Sequence, residues 1–443
     1  MMNKMSILHI GFDDTDSSKA MCTTYLAYKI VKFLENEKVE FLDYPYLIRL
    51  NPNIPWKTRG NGAIALAIKT PNPKKIKNTI KQLVSKYSDI KGGANPGLVF
   101  FQNYKVPNNF VKFSELALWK LISRNYAKKF ISENNLETIS FGNGQGIVGA
   151  IGAIGYKFRD HTFELLSYRK KSHIGQKRKI TKDSVRKMQE KTYPITFNSY
   201  DKKKDRILIT PHGPDPVFYG LRGENAKSVI DASQMIVTAE KLEGYMTFKT
   251  NQGTGDHLKH ELEADDFKPY TSGTVTGTVL EKPKIEHGGH VVFSINKNGQ
   301  EIRCAVYRPT KITMIAKELI AGDKIRIGGG VRKASKTHNR ILNVETFEIL
   351  KLEKDFRLVN PLCLNCNKRM KSKGQKQGFQ CIKCGEKSAN KSILEIPRKI
   401  KQQLYIPSVS AHRHLSRPMQ RYGKVNKDSK IDSNLRWFHI YKN

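Results

Sequence analysis

Four of the six cysteines sit in two short pairs, Cys363-Leu-Asn-Cys366 and Cys381-Ile-Lys-Cys384, with fourteen residues between the pairs. That spacing leaves few ways to fold. Disulfide frameworks belong to short secreted chains, whereas paired C-x-x-C motifs in a chain of 443 residues without a signal-peptide pattern point to a metal. Two β-hairpin knuckles would bring four thiolates to the corners of a tetrahedron, the zinc-ribbon arrangement. No coordination position stays open in such a site, so the zinc is expected to be structural. Cys22 and Cys304 stand apart from this group.

Charge narrows the partner. Lys and Arg number 78 against 40 Asp and Glu, a formal net charge of +38, and an excess of that size calls for a polyanion, with nucleic acid the natural one. No run approaches the ~18 apolar residues of a membrane span, and Asp13 to Asp16 interrupt the apolar stretch near the N-terminus. The expectation is a cytoplasmic protein with no membrane partner. Basic residues concentrate at 170–206, with 13 Lys and Arg against four acids, and at 356–443, with 20 against four. In the second stretch Tyr405, Tyr422, Trp437, Phe438 and Tyr441 are interspersed, which suits phosphate contact and base stacking on RNA. The plainer reading is a tail packed onto the protein by those aromatics, and both can hold.

The chemistry is expected near the N-terminus. In ILHIGFDDTDSSKAMCTTYL (7–26) an apolar run, read as a buried strand, ends in Asp13, Asp14 and Asp16. Three carboxylates so close repel one another unless a cation or hydrogen-bond donors sit among them, and hard oxygen ligands suit magnesium. Thr15, Ser17, Ser18, Thr23 and Thr24 add hydroxyls, and a helix is predicted over Met21 to Leu34, whose N-terminus beside the acids would suit phosphate. An Asp/Thr/Ser-rich turn that merely caps the helix is the alternative.

From Ile7 to about Lys129, strand-like runs (Ile7–Ile10, Val39–Leu50, Ala63–Lys69, Gly97–Phe101) alternate with helical patterns (Thr23–Glu37, Pro73–Tyr87, Lys112–Phe130), which reads as an α/β domain. Within it, Lys57, Arg59, Gly60, Asn61 and Gly62 converge in six positions after two X-Pro steps. Cationic side chains beside glycines that let a backbone approach an anion suit nucleotide phosphates. The glycine-rich FGNGQGIVGAIGAIGY (141–156) lacks a dinucleotide fingerprint and is read as a small-residue helix packed closely on a sheet or as a ligand loop, with Asn143 and Gln145 at its polar start. TFELLSYR (162–169) is predicted to be a strand. Ile207–Thr210 reads as a short buried strand opening into a Pro/Gly loop that carries His212, Asp215, Arg222 and Glu224. Such groups can relay protons or hold a guanidinium. Between Thr271 and Leu350 five strand-like segments with a helix, Thr310–Leu319, after the third have the layout of an OB fold.

The ordered set GFDDTDSSKAMCTTYL, RLNPNIPWKTRGNGA, GNGQGIVGAIGAIG, ITPHGPDPVFYGLRGE, the five-stranded segment and the cysteine ribbon resembles the archaeal tRNA(Ile) 2-agmatinylcytidine synthetases, the TiaS family, from about Ile7 to Cys384. The resemblance implies a multidomain α/β and α+β chain: a kinase-like ATP-binding domain (1–130), a ferredoxin-like domain (131–250), an OB-fold barrel (268–352), a zinc ribbon (358–388) and a basic tail (389–443). It implies an ATP-dependent ligase that joins agmatine to C2 of the wobble cytidine in the CAU anticodon of an isoleucine tRNA, with ATP converted to AMP and phosphate. By the same resemblance Thr23 is an autophosphorylation site, and Asp13, Asp14 and Asp16 hold magnesium on ATP. Lys57, Arg59, Gly60, Asn61 and Gly62 then contact phosphate, and His212, Asp215, Arg222 and Glu224 are candidates for the agmatine site and its proton transfer. Ala20 departs from the family's usual glycine, and if that position needs φ > 0 it would strain the loop by ~1 kcal/mol. Two other readings stay open: a non-enzymatic RNA-binding protein, and a phosphotransferase of the haloacid-dehalogenase kind with Asp14 as nucleophile.

Overall fold

A computed structural model describes residues 5–336, 339–427 and 430–442. The chain divides into two compact units, one made of residues 1–274, 328–340 and 406–443, the other of 275–327 and 341–405.

The first unit is built on an eleven-stranded sheet. Its main path runs Glu137–Ser140, Gly97–Phe101, Ser6–Asp13, Gly62–Thr70, Tyr46–Arg49, Leu242–Thr250, Thr162–Arg169, Val217–Gly223, Thr196–Phe197. Neighbours are antiparallel except where Leu242–Thr250 meets Tyr46–Arg49. Period-2 alternation assigns the two faces. Leu8, Ile10, Phe12, Ile64, Leu66 and Ile68 pack with helices Thr23–Leu34 and Pro73–Lys86 on one side. Ala63, Ala65 and Val99 pack with helices Asn108–Trp119, Arg124–Glu133 and Gly146–Gly155 on the other.

The glycine-rich stretch is the small-residue helix, Gly146–Gly155, lying so close to the sheet that side chains have no room. A Cβ on Gly97 would sit 2.0 Å from the Ile147 nitrogen, and one on Gly149 would sit 1.9 Å from Asp13 Oδ2. The helix therefore presses directly on the acidic end of the first strand.

Several predicted elements are shorter or divided. The run Val39–Leu50 holds two strands, Glu40–Phe41 and Tyr46–Arg49, parted at Pro45, which cannot donate to a ladder. The helical pattern over Lys112–Phe130 is two helices, the second capped by the Ser123 side chain, which accepts from the Tyr126 N–H. Of Ile207–Thr210 only Ile207 is in a strand, Arg206–Ile207. The strand at that point in the chain is Val217–Gly223, inside what the proline and glycine content suggested was loop.

The C-terminal residues from 406 onward belong to this first unit. Phe438–Ile440 pairs with Leu242–Thr250, Trp437 and Phe438 pack on the core, and Arg421 is fully buried between Asp160 (2.9 Å) and Glu224 (3.0 Å). Of the basic tail's aromatics, Trp437 and Phe438 serve packing here, while Tyr422 and Tyr441 are exposed.

In the barrel, strands Ser272–Val279, Val291–Lys297, Gln300–Val306, Lys324–Arg332 and Ile341–Lys351 match the five expected. The first pairs with both the second and the fourth, and the third lies parallel to the fifth, so the sheet closes as a five-stranded barrel. The predicted helix Thr310–Leu319 is reduced to a 3-10 turn, Arg308–Thr310, and the short helix Thr313–Ala316. A two-stranded ladder, Asp355–Val359 with Ser392–Ile396, flanks the three-stranded cysteine ribbon. No helix among the described residues is long and apolar enough to cross a membrane.

Candidate active site

The acids emerge where the first strand ends. Ser6–Asp13 carries Asp13 at its last position, and Asp14 follows with φ 55°, a left-handed turn that Asp tolerates better than most residues. The chain then loops to Cys22 and enters the helix at Thr23. The left-handed residue before the helix is Met21 (φ 65°), not Ala20, so alanine is unstrained at position 20.

Within this loop Asp16 is the hub. Its Oδ1 accepts hydrogen bonds from Thr58 Oγ1 (2.9 Å) and Thr23 Oγ1 (3.4 Å), while Oδ2 lies 3.3 Å from Arg59 Nη1. Thr15 Oγ1 donates to Thr23 Oγ1 at 3.1 Å. The Thr23 hydroxyl is thus held between the Thr15 hydroxyl and the Asp16 carboxylate, while Ser17 Oγ accepts from the Lys19 N–H (2.9 Å) and donates to Asp89 Oδ2 (2.5 Å). Burial, and secondly the Asp14 charge, push Asp13 up to about 8. Burial and then Asp16 push Asp14 up to about 7, and burial raises Asp16 against the opposing pull of Arg59. Such acids are short of positive charge.

A cavity of about 780 Å³ opens over them. It gathers Asp13, Asp14, Asp16, Thr23, the whole run Lys57 to Gly62, His212, Asp215 and Arg222. Residues far apart in sequence thus share one wall. Arg59 and Asn61 have positive φ (43° and 51°), and Arg59 is anchored by donating from Nη1 to the Met21 carbonyl at 2.9 Å. A smaller cavity, about 450 Å³, shares Asp14, Trp56, Thr58 and Gln145 with the first and adds Asn95, Asn143 and Arg124.

Asp215 is the buried acid of the second wall. Its Oδ1 accepts from the Val217 N–H (2.9 Å) and from Arg178 Nη2 (3.3 Å). Its Oδ2 is buried without a hydrogen-bond partner, with Arg59 Nη1 at 3.8 Å. Burial raises its pKa, opposed by Arg59 and Arg178. His212 is exposed, its Nε2 2.9 Å from Arg206 Nη2.

Glu224 lies elsewhere. It follows the strand Val217–Gly223, does not line the cavity, and both its oxygens are taken by Arg421 and Asn426. The cavity wall instead has Glu164, from the buried strand Thr162–Arg169. Arg222 Nε reaches Glu164 Oε1 at 3.1 Å, Arg49 Nη2 lies 3.6 Å from Oε2, and Gln252 also donates to Oε2. His414, from the C-terminal segment, completes this group with Nδ1 2.8 Å from Arg222 Nη2 and 2.7 Å from Gln252 Oε1. Sequence reasoning missed Glu164, Arg49, Gln252 and His414. The strand that carries Glu164, TFELLSYR, mixes apolar and polar residues and also holds Arg169, so nothing in its pattern set Glu164 apart.

The second candidate centre is the cysteine cluster. The sulfurs of Cys363, Cys366, Cys381 and Cys384 all lie within 4.8 Å of one another, the only metal-suited group of His, Cys, Asp or Glu found among the described residues. Each knuckle turns in the same way: Asn367 (φ 51°) donates to the Cys363 carbonyl and Gly385 (φ 80°) to that of Cys381. Backbone N–H groups of Cys384 and Lys383 lower the Cys381 thiol to about 7. Four soft thiolates at these separations fit tetrahedral zinc.

Comparison with known proteins places this arrangement. The TiaS TCKD domain matches residues 9–143, the TiaS FLD domain residues 144–257, and the TiaS C-terminal zinc ribbon domain residues 360–400. The isoleucine-tRNA 2-agmatinylcytidine synthetase TiaS of Cenarchaeum symbiosum is 45% identical over 434 residues, 98% of this chain and 97% of that protein. Its counterpart in Methanocaldococcus jannaschii is 40% identical over 427 residues, 94% of this chain and 99% of that one. A solved complex of TiaS with its isoleucine tRNA and ATP superimposes with a TM-score of 0.84 at 31% identity, covering 99% of this chain and 100% of the other. A complex of TiaS with the same tRNA, AMPCPP and agmatine gives a TM-score of 0.82 at 29% identity with the same coverage.

Proposed function

This chain belongs to the TiaS family, and we propose that the acid-lined cavity of its first unit is where it does that family's work. The protein is an ATP-using ligase that joins the primary amine of agmatine to C2 of the wobble cytidine of the isoleucine tRNA with a CAU anticodon, giving 2-agmatinylcytidine. The modified base pairs with adenine, so the tRNA reads AUA. Neither a non-enzymatic RNA-binding role nor a haloacid-dehalogenase-like transfer through Asp14 is favoured by these relatives.

We assign residues 1–130 to a kinase-like domain and 131–250 to a ferredoxin-like domain framing the cavity, and 268–352 to an OB fold. The OB fold and the ribbon carry basic surface for the tRNA. The ribbon's cysteines hold a structural zinc.

Chemistry at C2 needs the ring oxygen to become a leaving group, and ATP supplies the phosphoryl group. Phosphoryl transfer depends on position and charge neutralisation. Lys57 and Arg59, with the backbone of Gly60 to Gly62, form the cationic face for the triphosphate. Asp13, Asp14 and Asp16 are hard oxygen donors that burial pushes up, but their oxygens do not gather at ligand spacing as the four cysteine sulfurs do, so their role is derived without a metal. Asp16 accepts the Thr23 proton as that hydroxyl attacks the terminal phosphorus of ATP, whose bond to the remaining diphosphate breaks so that ADP leaves. The smaller cavity, with Trp56 and side-chain amides, suits a nucleobase.

Agmatine brings a guanidinium and an amine. Asp215 offers a buried carboxylate oxygen without a hydrogen-bond partner, and the guanidinium supplies the donors it lacks. This orphaned oxygen facing the acids across one cavity is the observation that carries the assignment. His212, exposed at the wall with Nε2 accepting from Arg206, takes the amine proton at Nε2 once that contact opens, as the C–N bond forms and the phosphorylated oxygen departs. The assignment is tested by Asp215→Asn: the KM for agmatine should rise about 10- to 100-fold, the loss of one charge-assisted pair, with the KM for ATP little changed. An unchanged agmatine KM would remove Asp215 from the site.

A further inference from the structure

The C-terminal segment enters the cavity wall, and nothing in the reaction described so far uses it. The Gly253 N–H donates to the His414 carbonyl (2.9 Å) and the Gly255 N–H to that of Leu415 (2.8 Å). Downstream, buried Arg421 spans Asp160 and Glu224, and Arg417 Nη2 lies 3.3 Å from Asp160. The segment is therefore pinned at and beyond the point where His414 reaches inward.

The His414 ring has two neighbours. On the Nδ1 side it meets Arg222 and Gln252, which both bind Glu164. On the Nε2 side it meets the basic loop: a Cβ on Gly60 would lie 2.4 Å from His414 Cδ2 and 2.6 Å from Nε2. Gly60 sits between Arg59 and Asn61, both left-handed. Two non-glycine residues in that region are strained and persist only where the surroundings hold them. The loop is held elsewhere by Asn61 Nδ2 donating to the Asn51 carbonyl (2.8 Å) and by Arg59 on Met21, but at Gly60 the contact is the His414 ring and Arg49.

We propose that His414 is a positioning residue of the ATP-dependent step, wedged between the Glu164–Gln252–Arg222 group and Gly60 so that Lys57 and Arg59 face the acids. It does not act on substrate. Burial beside Arg49, Arg222 and Lys57 keeps the ring neutral, so it adds no charge to a wall already basic. The inference rests on the reading of Lys57 to Gly62 as the phosphate loop. It makes the last 38 residues part of the active-site scaffold and not a separate RNA-binding tail.

The test is a double-mutant cycle in the full-length protein with its isoleucine tRNA, agmatine and ATP. His414→Ala should raise the KM for ATP about 10- to 100-fold through loop misplacement, with tRNA affinity unchanged. Gly60→Ala, which drives a methyl into the ring, should do likewise. Because removing the ring makes room for that methyl, Gly60→Ala should cost at least about threefold less in the His414→Ala background than in the native one, beyond the scatter of independent sites. His414→Asn, which keeps a side-chain amide for Gln252, should recover part of the loss, and it replaces His414→Ala in the cycle if that variant fails to fold. Additive effects, or an unchanged KM for ATP in the His414 variants, overturn the inference. Arg59→Ala separates the two readings. If it raises the KM for ATP while the cycle is additive, only the role of His414 falls; if it leaves that KM unchanged, the phosphate-loop reading falls and this inference with it.

Discussion

The acidic cleft and the cysteine ribbon are both clusters of anionic donors, yet they are built in opposite ways. The ribbon collects its four ligands from 22 consecutive residues, 363 to 384, through two like knuckles, and every ligand faces the other three. The cleft draws three acids from one turn, but their counterparts come from residues 49–62, 164, 212–222, 252 and 414. The ribbon's charges are satisfied by its own metal. The cleft's are left partly unsatisfied, with Asp13 and Asp14 pushed up toward neutral pH and Asp215 Oδ2 buried without a hydrogen-bond partner. Unspent electrostatics of that kind are what a site for ATP and a cationic substrate requires, and they cost stability until the substrates arrive.

Neutralising the cleft should therefore separate activity from stability. Asp14→Asn is expected to lower turnover about 10²- to 10³-fold, the scale of losing a preorganised charge contact, while raising the melting temperature of the ligand-free protein. Breaking the ribbon should do the reverse. Cys363→Ser removes a ligand of the structural zinc, and the binding free energy of such a site, about 10–16 kcal/mol, is folding free energy for the local domain. The ribbon should melt and tRNA binding should weaken, while the melting of the central sheet, followed by its own near-ultraviolet signal, stays put. Loss of both together would mean that the ribbon supports the cleft.

How far the sequence reveals these two regions follows from the same contrast. The ribbon is legible outright, since spacing alone sets its geometry. The barrel is legible because each of its five strands carries its own alternation. Asp13, Asp14, Asp16, Thr23 and the run Lys57 to Gly62 could be named because local density of charge or hydroxyl groups marked them. Choosing Thr23 among five hydroxyls took the family resemblance, since both Thr23 and Ser17 donate to a carboxylate. Glu164 was hidden in a strand whose eight residues are all buried, where a polar side chain looks like noise. His414 and Gln252 were invisible because no spacing rule links segments 162 residues apart. Arg222 and Glu224 were grouped as neighbours in a loop. The strand Val217–Gly223 keeps Arg222 on the cavity and lets Glu224 pass to Arg421.

A smaller effect sharpens the comparison through pH. The folded-state pKa of Asp13, about 8, lies above that of an unfolded Asp, near 3.9, so between those values the folded protein binds the extra proton. Stability of the ligand-free protein should accordingly rise as pH is lowered from 8.5 to 6.5, by on the order of 1 kcal/mol per pH unit, and Asp13→Asn should flatten the trend. A thermal-melt series in the two proteins measures it. The smallest step is in salt: weakening of tRNA binding with added salt should persist in Asp14→Asn, because backbone phosphates meet the protein's basic surface and not these acids.

The central claim, that the acid-lined cavity makes agmatinylcytidine, is tested most directly by mass spectrometry of the wobble nucleoside of the isoleucine tRNA after incubation with ATP and agmatine. The native protein should yield a cytidine in which agmatine has replaced the C2 oxygen, with AMP released in step, and Asp14→Asn should leave the cytidine unchanged while still binding the tRNA. An unmodified cytidine with the native protein, or full modification by Asp14→Asn, would contradict the account.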